Sequence, residues 1–172
     1  MAGDAPAMGR VMVESWLSAH RGQVPDEAWR KRLDEWTPEV SAEAWGRLLA
    51  ERADDDHARV VSLVAEADTG EIVALVLGTD AEDDASGSTA EISALYVQPG
   101  HQDQGIGRLL LREAASRLAT LGFSKLHIGV LSANLPARAF YEAMGGHRVG
   151  ERTFDEEGTL LPETVYEWPL GV

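Results

Sequence analysis

The spacing of apolar residues along the chain changes period once, near residue 59. Before that point the pattern is helical. Met8, Val11, Met12, Ser15 and Trp16 recur at intervals of three and four after Asp4 and Pro6, which predicts a first helix over 7–20 with Asp4 as N-cap and Gly22 as its end. Pro25 and Asp26 open a second helical stretch over 26–36, which Thr37-Pro38 is expected to break. Ser41 is placed to cap a third helix over 42–52, with Trp45, Leu48 and Leu49 on one side. Asp54 to His57 reads as a polar loop.

Beyond it, Val60, Val61, Leu63 and Val64 predict a strand over 59–67, and 72–77 predicts a second. Asp68-Thr69-Gly70 between them has turn chemistry, so the two form an antiparallel hairpin. The nearly unbroken apolar run of the second strand marks it as buried on both faces. Residues 80–88 are acidic and small, and predict a loop. The next strand runs Thr89–Val97 and is ended by Pro99-Gly100. Ile106, Leu109, Leu110, Ala114, Leu118 and Leu121 then keep helical spacing over 105–121, with Gly122 as C-cap. A strand over Lys125–Leu131, a helix over 135–144 closed by Gly145-Gly146, and strands over 148–153 and 164–168 joined by a turn at 155–158 complete the chain. This order predicts one α/β domain over 1–172, a mixed and mostly antiparallel sheet flanked by helices.

Composition narrows the chemistry. The chain has no cysteine, which excludes disulfides, zinc thiolate sites and a cysteine nucleophile. No apolar run reaches the roughly 18 residues of a membrane helix, and 1–10 lacks the form of a signal peptide, so a cytoplasmic location with no membrane partner is expected. With 172 residues and a net charge of −14, the chain repels nucleic acid and anionic lipid and favours a cationic or amine partner. The same charge serves solubility, and several acidic residues, such as Glu82, Asp83 and Asp84, fall in loops.

The stretch from Gln98 to Arg108 carries the clearest chemistry. A strand ends, a loop follows, and Gly105 and Gly107 open a long helix. The first N–H groups of a helix have no internal partner, and the helix dipole favours an anion there. A pyrophosphate suits that arrangement. Glycine lets it approach the main chain, and Arg108 can add a cationic contact. The pattern is neither a Walker loop, which ends in Gly-Lys-Ser/Thr, nor the dinucleotide fingerprint, since position 110 is Leu.

Leu95-Tyr96-Val97-Gln98-Pro99, followed by Gln102-x-x-Gly105-x-Gly107, resembles the cofactor signature of the GNAT superfamily of N-acyltransferases. Asn134-x-x-Ala137-x-x-Phe140-Tyr141-Glu142-x-x-Gly145 resembles that family's second cofactor-side helix. The likeness covers about 60–168 in order and spacing. It differs in two places. The family usually begins with a strand before its first helix; about six residues precede that helix here, so a short or missing first strand is expected. Gly146 also stands where the family often has Phe.

The resemblance implies an acetyl-CoA-dependent N-acetyltransferase with no metal, acting by direct attack of an amine on the acetyl carbonyl. Coenzyme A would lie in a gap between the strand ending at Val97 and the strand Lys125–Leu131. Leu95, Tyr96 and Val97 would meet pantetheine and acetyl. Gln102, Asp103, Gln104, Gly105, Ile106, Gly107 and Arg108 would bind pyrophosphate. Asn134 would meet pantetheine or cap its helix, and Tyr141 would protonate the departing thiolate or pack in the core. Glu91 is the candidate base, as an alternative to a salt-bridge partner, with His127 second. Trp16, Trp29, Trp36 and Trp45 line an acceptor cleft or form helix core. The acceptor reads first as a small-molecule amine and second as a protein N-terminus or lysine. A non-catalytic acyl-CoA-binding sensor module is the alternative of another class. Homodimers are common in the resembled family, and the oligomeric state stays open.

Overall fold

The computed structural model describes residues 2–53, 58–156 and 158–171. The polar loop expected at 54–57 lies outside them. Three helices come first: α1 (Ala5–His20), α2 (Asp26–Glu35) and α3 (Pro38–Ala53). Asp4 holds the N-cap position of α1, with Pro6 in the first turn. The third helix starts earlier than expected. Thr37 Oγ1 accepts a bond from Val40 N at 3.3 Å, and proline suits a first turn because its missing N–H would have had no partner. Thr37-Pro38 therefore opens α3 instead of separating it from α2, and Ser41 is a buried residue inside the helix instead of its cap. Gly9 explains the close fit of α1 on α3: a Cβ there would lie 2.5 Å from the Pro38 carbonyl oxygen.

The remaining elements are β1 (Val61–Glu66), β2 (Ile72–Asp80), β3 (Thr89–Val97), α4 (Ile106–Thr120), β4 (Lys125–Leu131), α5 (Leu135–Ala143), β5 (His147–Glu156) and β6 (Thr159–Pro169). The strands form one sheet in the order β1-β2-β3-β4-β6-β5. Every neighbouring pair is antiparallel except β3–β4. Among the described residues no strand precedes α1. The closing strands are longer than expected. β5 is an edge strand with mostly exposed side chains, so its sequence carries no apolar alternation to mark its ends.

Two layers of helix cover the sheet. Leu110, Leu111, Ala114 and Leu118 of α4 and Tyr141 of α5 pack on Val76, Ala90, Ile92, Leu126 and Ile128. On the other face, Met8 and Val11 of α1 and Trp45 of α3 pack on Ile72, Leu75 and Ala94. Full burial of each large apolar side chain contributes about 1.5–3 kcal/mol.

The feature that positions the site is the short partnership of β3 with β4. Their parallel register runs only from Thr89↔Lys125 to Ile92↔Ile128. Beyond it β3 pairs with β2 alone and β4 with β6 alone. The divergence coincides with a bulge: Leu77 faces Ala94 and Gly78 faces Ile92, which leaves Ser93 as the extra residue. A bulge bends its strand and raises the local twist. It also swaps the faces, so Ala90 and Ile92 before it, and Leu95 and Val97 after it, all pack toward α4.

Gly146 follows α5 directly beneath Trp168. A Cβ at 146 would meet the indole ring at 2.5 Å, and Trp168 Nε1 is fixed on Met144 O at 3.0 Å. Trp168 thus fills the space that a larger residue at 146 would need. Gly146→Ala should destabilise the fold by about 1–3 kcal/mol through overpacking. Urea unfolding checks this as a lower midpoint with an unchanged slope.

Candidate active site

The loop from β3 to α4 is shaped by its own side chains and by two left-handed residues. Gln102 Nε2 donates to Val97 O at 3.0 Å, and Gln104 Nε2 donates to Gly100 O at 3.4 Å. Asp103 has φ 60° and Gly105 φ 83°. Gly105 is the N-cap of α4 and offers no side-chain cap. Its carbonyl accepts from Leu109 N at 3.0 Å, while none of the N–H groups from Asp103 to Arg108 donates to a described residue. The arrangement leaves a row of donors at the positive end of a helix.

The two glycines have different reasons. Positive φ requires one at 105. At 107 the chain itself sets no such demand: a Cβ would make ordinary contacts of 3.6 Å with Phe140 and Val97. Glycine inside a helix costs about 1 kcal/mol relative to alanine, so the vacancy beside Val97 fits a ligand that approaches the main chain. Arg108 is exposed and forms no ion pair with a described residue, which leaves it available to an anion. These features fit a pyrophosphate.

Across the gap from this loop, Asn134 caps α5. Its Oδ1 accepts from Ala137 N at 3.2 Å. Tyr141 lies on the buried side of that helix, its ring 5.3 Å from Phe140, 6.0 Å from Tyr166 and 5.9 Å from Trp168. Its hydroxyl makes no hydrogen bond to a described residue. Burial pushes this phenol well above its ordinary value, and nearby Tyr96 and Glu163 push it further. The group is therefore a protonated phenol at neutral pH. Leu95, Tyr96 and Val97 form the β3 side of the gap, where alternate main-chain groups of a strand point away from its single partner. The Tyr96 side chain turns to the α1 face beside Trp16 and Leu131. Burial, with Glu156 and Glu163 nearby, pushes its phenol up to about 12.

On the sheet face away from α4 lies a cleft of about 340 Å³, lined in part by Asp80, Glu82, Asp83, Glu91, Arg152 and Glu163. Arg152 is its organising cation. It binds both oxygens of Glu91, with Nη1 3.3 Å from Oε2 and Nη2 on Oε1, while its Nε donates to Glu163 Oε2 at 2.5 Å. The two carboxylates hold the guanidinium above its already high value. Gly129 of β4 makes room for this bridge, since a Cβ there would lie 2.3 Å from Glu163 Oε2 and 2.6 Å from Arg152 Nη2. Glu91, the candidate base, is thus bound through both oxygens. His127 faces Glu91 in register and is engaged elsewhere: its Nε2 lies 2.9 Å from Glu167 Oε2. The pairing with His127, then Lys125, keeps the Glu167 carboxyl below its usual value.

The tryptophans play the core role. Trp16 and Trp45 are buried, Trp29 and Trp36 pack around Trp16, and none of the four lines this cleft. Arg152 and Glu163 were not singled out from the sequence. A readable signal exists, because the two sit opposite each other across the β5–β6 hairpin as an Arg–Glu pair. The sequence hides it because the strand expected over 164–168 starts one residue after Glu163, whereas β6 begins at Thr159.

A family model described as Acetyltransferase (GNAT) family matches residues 23–146. The chain is similar to an uncharacterized N-acetyltransferase, YuaI, of Bacillus subtilis strain 168, with 32% identity over 106 residues, 62% of this chain and 61% of that one. It also resembles streptothricin acetyltransferase of Streptomyces lavendulae, 41% identical over 54 residues, 31% of this chain and 29% of that one. The aligned region thus spans about three-fifths of the Bacillus relative and a smaller part of the Streptomyces one. Among solved structures, PaiA N-acetyltransferase of Thermoplasma acidophilum in complex with coenzyme A superposes with a TM-score of 0.67 at 20% identity, covering 98% of this chain and 94% of that one. With more than half of its length matched by the family model, the chain belongs to the GNAT acetyltransferase family.

Gly107→Glu should leave the fold intact and abolish coenzyme A binding, because it puts bulk and negative charge at the donor row. Thermal shift on adding coenzyme A reads this directly: the unmodified chain gains stability and the variant gains none. An equal gain in both would contradict the cradle.

Proposed function

We propose that the chain is an acetyl-CoA-dependent N-acetyltransferase acting on a small-molecule primary amine. The observation that carries this reading is the row of unpaired N–H groups from 103 to 108, set beside Val97 where β3 and β4 diverge. Family membership supports it. So does the coenzyme A complex of the Thermoplasma neighbour, which shares the fold.

In this reading Gly105, Ile106, Gly107 and Arg108 hold the pyrophosphate, with Asp103 and Gln104 adding main-chain donors. Gln102 fixes the loop on Val97. Leu95, Tyr96 and Val97 offer main chain along the β3 side of the gap, and Asn134 sets the start of α5 facing them. Acetyl-CoA supplies an activated thioester. The chain's own contribution is chiefly to hold two reactants in attack geometry, which is worth several orders of magnitude in rate. Tyr141 donates its proton to the departing sulfur. Its hydroxyl bonds to no described residue and is not among the buried unpartnered atoms, so it is accessible to the departing sulfur. The acceptor enters from the acidic cleft. Asp80, Glu82, Asp83, Glu91 and Glu163 outweigh Arg152 and the Arg59 guanidinium held on Asp80, and favour a cationic amine.

Tyr141→Phe should lower kcat about 100-fold or more while the KM for acetyl-CoA changes little, as loss of a general acid predicts. Steady-state kinetics with free-thiol detection checks the split; equal losses in kcat and affinity would contradict the acid role. The pH profile carries a second expectation. The folded phenol titrates above its ordinary value of 10.0, so the protonated, active form persists through that pH. kcat should show no falling limb centred below about pH 10 that disappears in Tyr141→Phe.

A further inference from the structure

We infer that Glu163, and not Glu91, is the carboxylate that takes the proton from the incoming amine; this rests on the acetyltransferase reading above. Both carboxylates line the acidic cleft. They differ in what their oxygens are free to do. Glu91 is clamped through both oxygens by Arg152 Nη1 and Nη2. Glu163 gives only Oε2 to Arg152 Nε, and its Oε1 has no partner among the described residues. A proton on Glu163 Oε1 leaves the Arg152 Nε contact on Oε2 in place, whereas a proton on either oxygen of Glu91 weakens one arm of a bidentate charge-assisted pair.

Position argues the same way. Glu163 stands opposite Leu131 of β4, on the stretch of β4 that has left β3. It is close enough to Tyr141 and Tyr96 to raise both phenols. Tyr141 belongs to the α5 side of the sheet and Tyr96 to the α1 side, so Glu163 acts on both faces where the strands part. Glu91 lies on the paired stretch, in register with His127. Gly129 reinforces the assignment, because any side chain there would collide with the Glu163 carboxylate. Arg152 then serves as a positioning residue: it points Glu163 from one side and is anchored by Glu91 on the other.

The proton balance closes. The ammonium gives one proton to Glu163, which later passes it to solvent. The neutral nitrogen forms its bond to the acetyl carbon as the carbon–sulfur bond breaks. Tyr141 protonates the departing sulfur and regains a proton from the acylated nitrogen. The products are an amide, a thiol and one released proton.

Glu163→Gln and Glu91→Gln, assayed with acetyl-CoA and the primary monoamine the unmodified chain acetylates fastest, test this. Glu163→Gln should lower kcat at pH 7 by about 100-fold or more and leave the affinity for coenzyme A unchanged. Its kcat/KM should climb tenfold per pH unit toward the amine's own pKa, because only free amine then reacts. The unmodified chain should have a flat profile over the same range. Glu163→Ala should regain activity with added formate, a readout that a merely structural role would not move. Glu91→Gln should keep the flat profile. A Glu163→Gln enzyme with near-normal kcat and a flat profile would overturn the inference. So would a steep profile with formate rescue confined to Glu91 variants. Failure of the unmodified chain to release thiol with any amine would instead overturn the underlying acetyltransferase reading.

Discussion

The site depends on two strands that part. Among the described strands β3 and β4 are the only parallel neighbours, and their pairing stops at Ile92 and Ile128. A sheet that continued to pair would bury every main-chain donor between them and leave no passage between its faces. The extra residue at Ser93 bends β3 away, and the rest follows. Main chain along Leu95–Val97 faces a gap, α4 starts beside one wall, α5 flanks the other, and a carboxylate on β6 influences groups on both sides of the sheet.

The same divergence separates two kinds of electrostatics. The α4 side presents helix-end donors and Arg108, which pairs with no described residue, and these suit an anionic carrier. The opposite side presents carboxylates organised by one arginine, which suit a cationic acceptor. A chain with net charge −14 therefore still offers a local anion site, because main-chain dipoles do not depend on net charge. In the proposed reading the two reactants approach from opposite faces and meet in the gap.

Much of this was legible in the residues. The spans Thr89–Val97 and Lys125–Leu131 were read from apolar runs bounded by turn residues and match the observed strands. Gly105 and Gly107 announced the helix start, and their pairing with the Asn134–Gly145 pattern identified the family. What stayed hidden was set by tertiary contact. Thr37-Pro38 looks like a break, yet its capping bond and the Gly9 crossing make it a helix start. The bulge at Ser93 exists only as a register between strands and leaves no local mark. The Arg152–Glu163 pairing becomes visible only once the hairpin register is fixed, and the space for it comes from Gly129 on another strand. Gly146 looked like a departure from the family pattern until Trp168 was found above it.

The central claim is that main-chain hydrogens at the start of α4 grip the diphosphate of coenzyme A. Residue-resolved amide hydrogen exchange with and without saturating coenzyme A tests it most directly. The account predicts strong slowing at 103–108, where no described residue accepts a bond from the amides. Unchanged exchange at those positions, with protection appearing elsewhere in the chain, would contradict it.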